Sequence, residues 1–314
     1  MGGLATLRLV HRGNFRVLMF HEFEESHCKN LDLICQYLSC KYEPVTLSAI
    51  AAAIHNRRQL PPNALTVTVD DGYRNFLTCG HPIFKKHGIS TTVYAVAGFA
   101  DGRLWLWTDQ LAFMLEHTAK KSLNVEVRKG KVLDLDLSSA TLRSQATQSL
   151  WEALKEVPNQ HRVEFLSSFA SLCRVEIPPL PPAERRSLSW GDLRDLAADG
   201  VEIGCHTDSH PILSRLSNHA ELEREICGAK ALMETRLKRR VDHFCYPNGR
   251  KIDISDEAVA CAREAGFRSS VTCTYGLNTL QIDPLRIMRL PIDLSLDVKY
   301  TAEMLVGFHL NPSS

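Results

Sequence analysis

The sequence predicts an α/β fold assembled from parallel strand–helix units, and two observations carry that expectation. Short apolar, β-branched runs alternate with amphipathic helical stretches toward both ends of the chain, which is the signature of βαβ units. Two of those runs, residues 65–69 and 201–205, stop at clusters of metal-type side chains: Asp70-Asp71-Gly72 after the first and His206-Thr-Asp-Ser-His210 after the second. Parallel α/β folds place their sites at the carboxyl ends of strands.

Each element follows in order. Residues 16–20 read as a first strand ending at His21. Residues 31–38 and 47–55 read as helices. The strand 65–69 is bounded by Pro61-Pro62 and by Asp-Gly. A helix over 75–87 is stopped by Gly88, and 90–96 is a β-branched strand. The rhythm then breaks between about residues 98 and 186. That stretch holds Trp105 and Trp107, a helix over 108–120, a polar strand pair over 125–137 and a helical region over 140–172. It closes with Pro178-Pro-Leu-Pro-Pro182, a stiff extended segment. Residues 101–186 are therefore read as an insertion, or cap, within a single catalytic domain spanning 1–314.

The alternation resumes with a helix over 190–199, capped by Ser189 and ended by Gly200. A strand over 201–205 and a long amphipathic helix over 220–239 follow. The remaining elements are a strand over 242–246, a helix over 256–265, and strands over 268–273 and 285–290.

Bulk properties narrow the function classes. A chain of 314 residues with 44% hydrophobic content can bury a large core. A net charge of +1 leaves no footprint for nucleic acid. No apolar run reaches the length of a membrane span, and the apolar part of the start is too short for a secretory signal. Ten cysteines lack any Cys-x-x-Cys pair, so reduced thiols and a cytoplasmic location are expected.

The chemistry-bearing residues sit at strand ends. Asp70 and Asp71 repel one another unless something positive lies close. His206 and His210 have the spacing of a convergent imidazole pair, and Pro211 keeps His210 out of regular helix. Two imidazoles and a carboxylate suit one divalent ion with a position left open, as in a hydrolase. Phe244-Cys-Tyr-Pro-Asn-Gly249 ends another strand in a tight turn that can aim the Asn248 backbone N–H into the cleft. His21 follows the first strand. His309 near the C-terminus is its competitor as a proton donor.

With these residues in place, the chain resembles the polysaccharide deacetylase superfamily, metal-dependent N-deacetylases of acetylated amino sugars. The matching pieces are Thr68-Val-Asp-Asp-Gly72, His206-Thr-Asp-Ser-His210 and Tyr246-Pro-Asn-Gly249, with a similar flank over 188–204. The opening Leu18-Met-Phe-His21 is similar to the poly-N-acetylglucosamine deacetylase branch, whose motif order is circularly permuted. The resemblance implies a distorted (β/α) barrel, Asp70 as general base, His21 as acid, and Asp71, His206 and His210 as metal ligands. It further implies an N-acetylated amino-sugar substrate and a divalent cofactor. Zinc fits the ligand set, and cobalt, nickel or iron are also accepted by such donors. One departure stands out: many members carry an arginine where this chain has Cys245, leaving Arg250, Arg286 or Arg289 to hold Asp70. Rival readings are a metal-assisted hydrolase of linear amides or imides, and a silent carbohydrate-binding relative. Trp105 and Trp107 read as exposed-looking candidates for stacking on sugar rings, though tryptophans more often belong to a core.

Overall fold

A computed structural model describes residues 2–308. Among these residues, ten strands form two sheets: β1 (Arg16–Phe20), β2 (Glu43–Pro44), β3 (Ala64–Val69), β4 (Thr91–Ala95), β5 (Ser122–Arg128), β6 (Lys131–Asp136), β7 (Glu202–Cys205), β8 (His243–Cys245), β9 (Ser269–Tyr275) and β10 (Ile287–Pro291). Seven of them run parallel in the order β1-β10-β9-β8-β7-β4-β3, and pairing of β1 with β3 closes the ring. Residues 16–20 align with 65–69 across that closure. The short β2 pairs with the start of β3. The chain is thus a (β/α) barrel with helices packed outside it, in agreement with the expected fold class.

Alternation along the strands builds two apolar layers. Leu18, Val67, Val93, Ile203, Cys205 and Phe244 pack outward in the main cluster, against Leu31, Ile34 and Leu38 of helix Cys28–Lys41 and Met233 of helix Ala229–Leu237. Val17, Tyr94, Cys245, Val271 and Ile287 fill the interior as a second cluster, with Leu47 and Ile50. Gly204 is dictated by this packing, because a Cβ there would lie 2.4 Å from the Tyr94 ring.

Three helical expectations change in detail. The helix over 75–87 begins with a π-turn, Phe76–Gly80, before His81–Lys86. The helix over 220–239 is interrupted by another, Arg224–Gly228, between His219–Glu223 and Ala229–Leu237. The helical region over 140–172 divides into Ala140–Leu154 and Asn159–Cys173 at Pro158, whose missing N–H cannot continue a helix. Ser189 caps Trp190–Ala198 through a reciprocal box with Asp192. Helices Gly2–Val10 and Val298–Leu305 were not anticipated. Both are fastened to the barrel by Arg16, whose guanidinium donates to the His11 and Leu305 carbonyls.

The insertion carries its own core. Trp107, Leu111 and Met114, with Val125 and Leu135 of the antiparallel β5–β6 pair, pack against Leu150 and Phe169. Trp105 and Trp107 are 5% and 8% exposed, so the reading of both as exposed-looking is corrected. Trp105 packs edge-on against Phe113, and the Arg162 guanidinium lies 4.7 Å over the Trp107 ring. The expectation of reduced cysteines also needs correction, since Cys28 and Cys79 form a disulfide. Their separation of 51 residues gave no local spacing signal.

Candidate active site

The carboxyl ends of β1, β3, β7 and β8 deliver His21, Asp70-Asp71, His206 and the loop of Asn248 to one mouth. All of these residues line a cleft of about 690 Å³, together with His210. The local backbone is unusual there. Asp71, Thr207, His210 and Asn248 all adopt positive φ, between 59° and 69°, with the other such residues spread elsewhere among the described residues. For β-branched Thr207 this is a rarely populated conformation. Its hydroxyl spans the turn, donating to the His206 carbonyl and accepting from the His210 N–H at 3.0 Å. Strain of this kind, on the order of 1–3 kcal/mol per residue, is held where surrounding bonds over-determine the geometry. Buried Glu225, turned toward the loop from the π-turn, supplies those bonds: it accepts from the Asp208 and Ser209 N–H groups and from the Ser209 hydroxyl.

Asp71 Oδ1 lies 3.4 Å from His206 Nε2 and 3.2 Å from His210 Nε2. The donor atoms of these three residues fall within 4.8 Å of one another. His206 Nδ1 sits 2.7 Å from the Cys245 carbonyl, which can only accept. The proton therefore belongs on Nδ1, leaving the Nε2 lone pair facing a carboxylate oxygen. Two acceptors turned toward each other, with buried Asp71 Oδ1 making no hydrogen bond, call for a cation between them. Burial works against the Asp71 carboxylate, and only positive charge beside it holds the carboxyl well below its ordinary range. Burial also lowers the pKa of His210, which favours the neutral, ligating form. The residues present fit a divalent ion.

A second three-residue group, Asp70, His206 and Cys245, is equally compact, yet its donors are already engaged. Arg289 grips Asp70 bidentately, with Nη1 2.6 Å from Oδ1 and Nη2 2.7 Å from Oδ2. Burial pushes the Cys245 thiol well up, so it stays neutral, 3.4 Å from Asp70 Oδ2 and 3.3 Å from the Arg289 guanidinium. Of the three arginines left open by the sequence, Arg289 is the one that holds Asp70, from β10 rather than from the loop. Its Nε donates to the Thr272 carbonyl where the β9–β10 register shifts. Burial raises the Asp70 pKa, but Arg289 more than offsets this and keeps the carboxylate ionised.

His21 Nε2 lies 3.7 Å from Asp70 Oδ2 on the open side, with its side chain 48% exposed. The Asn248 side chain donates to Asp253, which also takes Arg250 Nε at 2.7 Å, pinning the turn. Arg286 instead pairs with Asp256. His309, the alternative donor, lies outside the described residues. Sequence reasoning passed over Glu225, Tyr73, Asp109 and Trp151; only Tyr73, next to the Asp-Asp-Gly motif, offered a positional signal.

The sequence model of the polysaccharide deacetylase family matches residues 57–270. That span is more than half of the chain, and the protein belongs to this family: it is a carbohydrate N-deacetylase, a hydrolase. No curated protein sequence matches it. Among solved structures it is similar to the deacetylase PplD of Streptococcus pyogenes in complex with acetate, with 14% identity, TM-score 0.61, and coverage of 93% of this chain and 98% of that one. A de-N-acetylase from Aggregatibacter actinomycetemcomitans matches with 14% identity, TM-score 0.60 and coverage of 93% and 99%. IcaB from Ammonifex degensii matches with 14% identity, TM-score 0.58 and coverage of 94% and 98%. At such identities these likenesses speak for the barrel alone. No helix among the described residues is long and apolar enough to cross a membrane.

Proposed function

We propose that the protein removes the N-acetyl group from an N-acetylated amino sugar, as a residue of an oligo- or polysaccharide in exopolysaccharide assembly, with zinc held by Asp71, His206 and His210. The single observation carrying this reading is the division of labour between adjacent aspartates: Asp71 faces two imidazoles, while Asp70 is clamped by Arg289 and stays outside that set. A divalent ion bound there supplies Lewis-acid polarisation of the acetyl carbonyl and a lowered pKa for water.

The chain's own residues do the rest. Asp70, kept ionised and fixed in orientation by Arg289, takes the proton from the attacking water. The Asn248 N–H, presented by the turn after β8, donates to the developing oxyanion. His21, on the solvent side of Asp70, protonates the departing amine, which is a poor leaving group without a proton. The insertion, residues 101–186, acts as a cap beside the mouth. The products are acetate and a free amino sugar.

The test is acetate release from N-acetylglucosamine oligomers, measured with metal-loaded protein and again after chelation. Release that is lost on chelation and restored by zinc is the expected result. Release indifferent to chelator rejects the metal assignment. No release from any N-acetylated sugar, with hydrolysis of a linear amide or imide instead, favours the rival hydrolase.

A further inference from the structure

The insertion puts side chains on the wall of the catalytic cleft, and two of them have unexplained surroundings. Asp109 lies in the first turn of helix Trp107–His117 and is 7% exposed. It borders both the 690 Å³ cleft and an adjoining chamber of about 480 Å³. Its Oδ2 accepts from the Tyr73 hydroxyl at 2.9 Å. No cation pairs with it among the described residues: Arg185, the guanidinium nearest in its electrostatic surroundings, is committed to both oxygens of Glu116. Nor does it cap its own helix, whose first turn has no side-chain cap. Burial without a cation pushes the Asp109 pKa up to about 7. A buried carboxyl kept at that cost with no structural partner beyond one phenol needs another reason to be there.

Trp151, from helix Ala140–Leu154, borders the same two cavities. Its indole N–H donates to the Thr108 carbonyl at 3.2 Å, so the ring is fixed beside Asp109 rather than free to turn. An oriented aromatic face next to a hydrogen-bond acceptor, both on the rim of a catalytic cleft, matches the two sides of a sugar ring: apolar C–H faces and polar hydroxyl edges.

We propose that Asp109 and Trp151 form a sugar-binding pair that sets the specificity of the enzyme, Asp109 accepting from ring hydroxyls of an N-acetylated amino sugar and Trp151 packing against the ring face. The inference rests on the deacetylase reading for the identity of the sugar. The substrate before reaction carries no charge, so its donors to Asp109 are neutral groups, the ring hydroxyls among them. The two cavities meet at these residues, so the glycan continues past Trp151 into the second chamber.

Equilibrium binding of N-acetylglucosamine trimer to the metal-loaded protein tests the pair, with acetate release followed separately. Asp109→Ala and Trp151→Ala should each weaken trimer binding roughly tenfold to a hundredfold, the range for losing a charge-assisted hydrogen bond or a buried aromatic contact. Asp109→Asn, which keeps the shape and one acceptor, should fall between wild type and Asp109→Ala, and it carries the test if Asp109→Ala fails to fold by circular dichroism. The ratio of kcat/KM on the trimer to that on an aryl acetate should drop in the same order, through KM. Unchanged trimer affinity in the variants, no trimer binding by wild type, or an equal loss on both substrates overturns the pair. Wild-type protein that binds trimer through these residues but releases no acetate leaves the pair standing and rejects the deacetylase reading.

Discussion

The mouth of the barrel and the insertion build one cleft by opposite means. At the mouth, key chemical side chains are fixed by partners distant in sequence: Arg289 on Asp70, the Cys245 carbonyl on His206, Glu225 under the turn before His210. The insertion instead offers local structure, a hairpin and three helices around a core of their own, and reaches the cleft with a few residues of two helices. The first arrangement holds atoms to the tolerance that bond-making chemistry needs. The second can change its wall without disturbing the reacting groups. Catalysis and recognition are therefore expected to separate along this boundary.

The largest effect expected on the barrel side is that of Asp70→Asn. If Asp70 is a base and not a required ligand, acetate release falls on the order of 10²–10⁴-fold, while metal content stays at the wild-type ratio. Asparagine still offers Arg289 one acceptor, and circular dichroism checks that the buried guanidinium has not unfolded the barrel. Loss of the metal would show that Asp70 and Asp71 had been assigned the wrong way round.

On the insertion side, Leu150→Ala removes a fully buried side chain from the insertion's own core. The expected cost is about 2–5 kcal/mol of stability, with early proteolytic cleavage confined to residues 101–186 and metal retained. A single cooperative transition in which barrel and insertion are lost together, read by urea unfolding and by cleavage pattern, would break the comparison, because the two cores would then be one unit.

The same boundary explains what could be read from sequence. Strand runs such as residues 65–69 and 201–205 were legible because apolar and β-branched residues recur along them, and the acid and histidine motifs stood at their ends. What fixes those motifs was not legible. Arg289 reaches Asp70 across 219 residues, and its role depends on a register shift between two strands that no local pattern announces. Glu225 faces the loop through a π-turn inside what reads as a plain amphipathic helix. In the insertion the helices were visible by periodicity, but Trp105 and Trp107 were misjudged, because exposure depends on a tertiary partner. Trp107 lines the cleft only as a buried ring, whereas Trp151 borders it partly exposed.

The amino end of the barrel supplies a smaller, pH-dependent contrast with the mouth. Glu202, at the start of β7, accepts from the Leu47 N–H at 2.8 Å, the Ser48 N–H at 3.1 Å and the Thr92 hydroxyl at 3.0 Å, with His243 3.8 Å away. It thus anchors the N-terminus of helix Leu47–Asn56, which closes that end of the ring. Burial would raise its pKa, yet His243, Ser48 and Thr92 bring it down to about 2 from an ordinary 4.5. A depressed carboxyl stabilises the fold above its unfolded pKa, and that contribution disappears as pH falls through the folded value. The difference amounts to roughly 3 kcal/mol at neutral pH. Glu202→Gln should therefore lower the urea midpoint at pH 7, and the gap from wild type should shrink steadily between about pH 5 and pH 2. The proposed metal site, whose His206 and His210 follow on the same chain segment, should keep its affinity at neutral pH, because Glu202 touches none of its members. A gap that stays constant across that pH window would mean that the lost stability comes from packing at the barrel floor and not from the charge on Glu202.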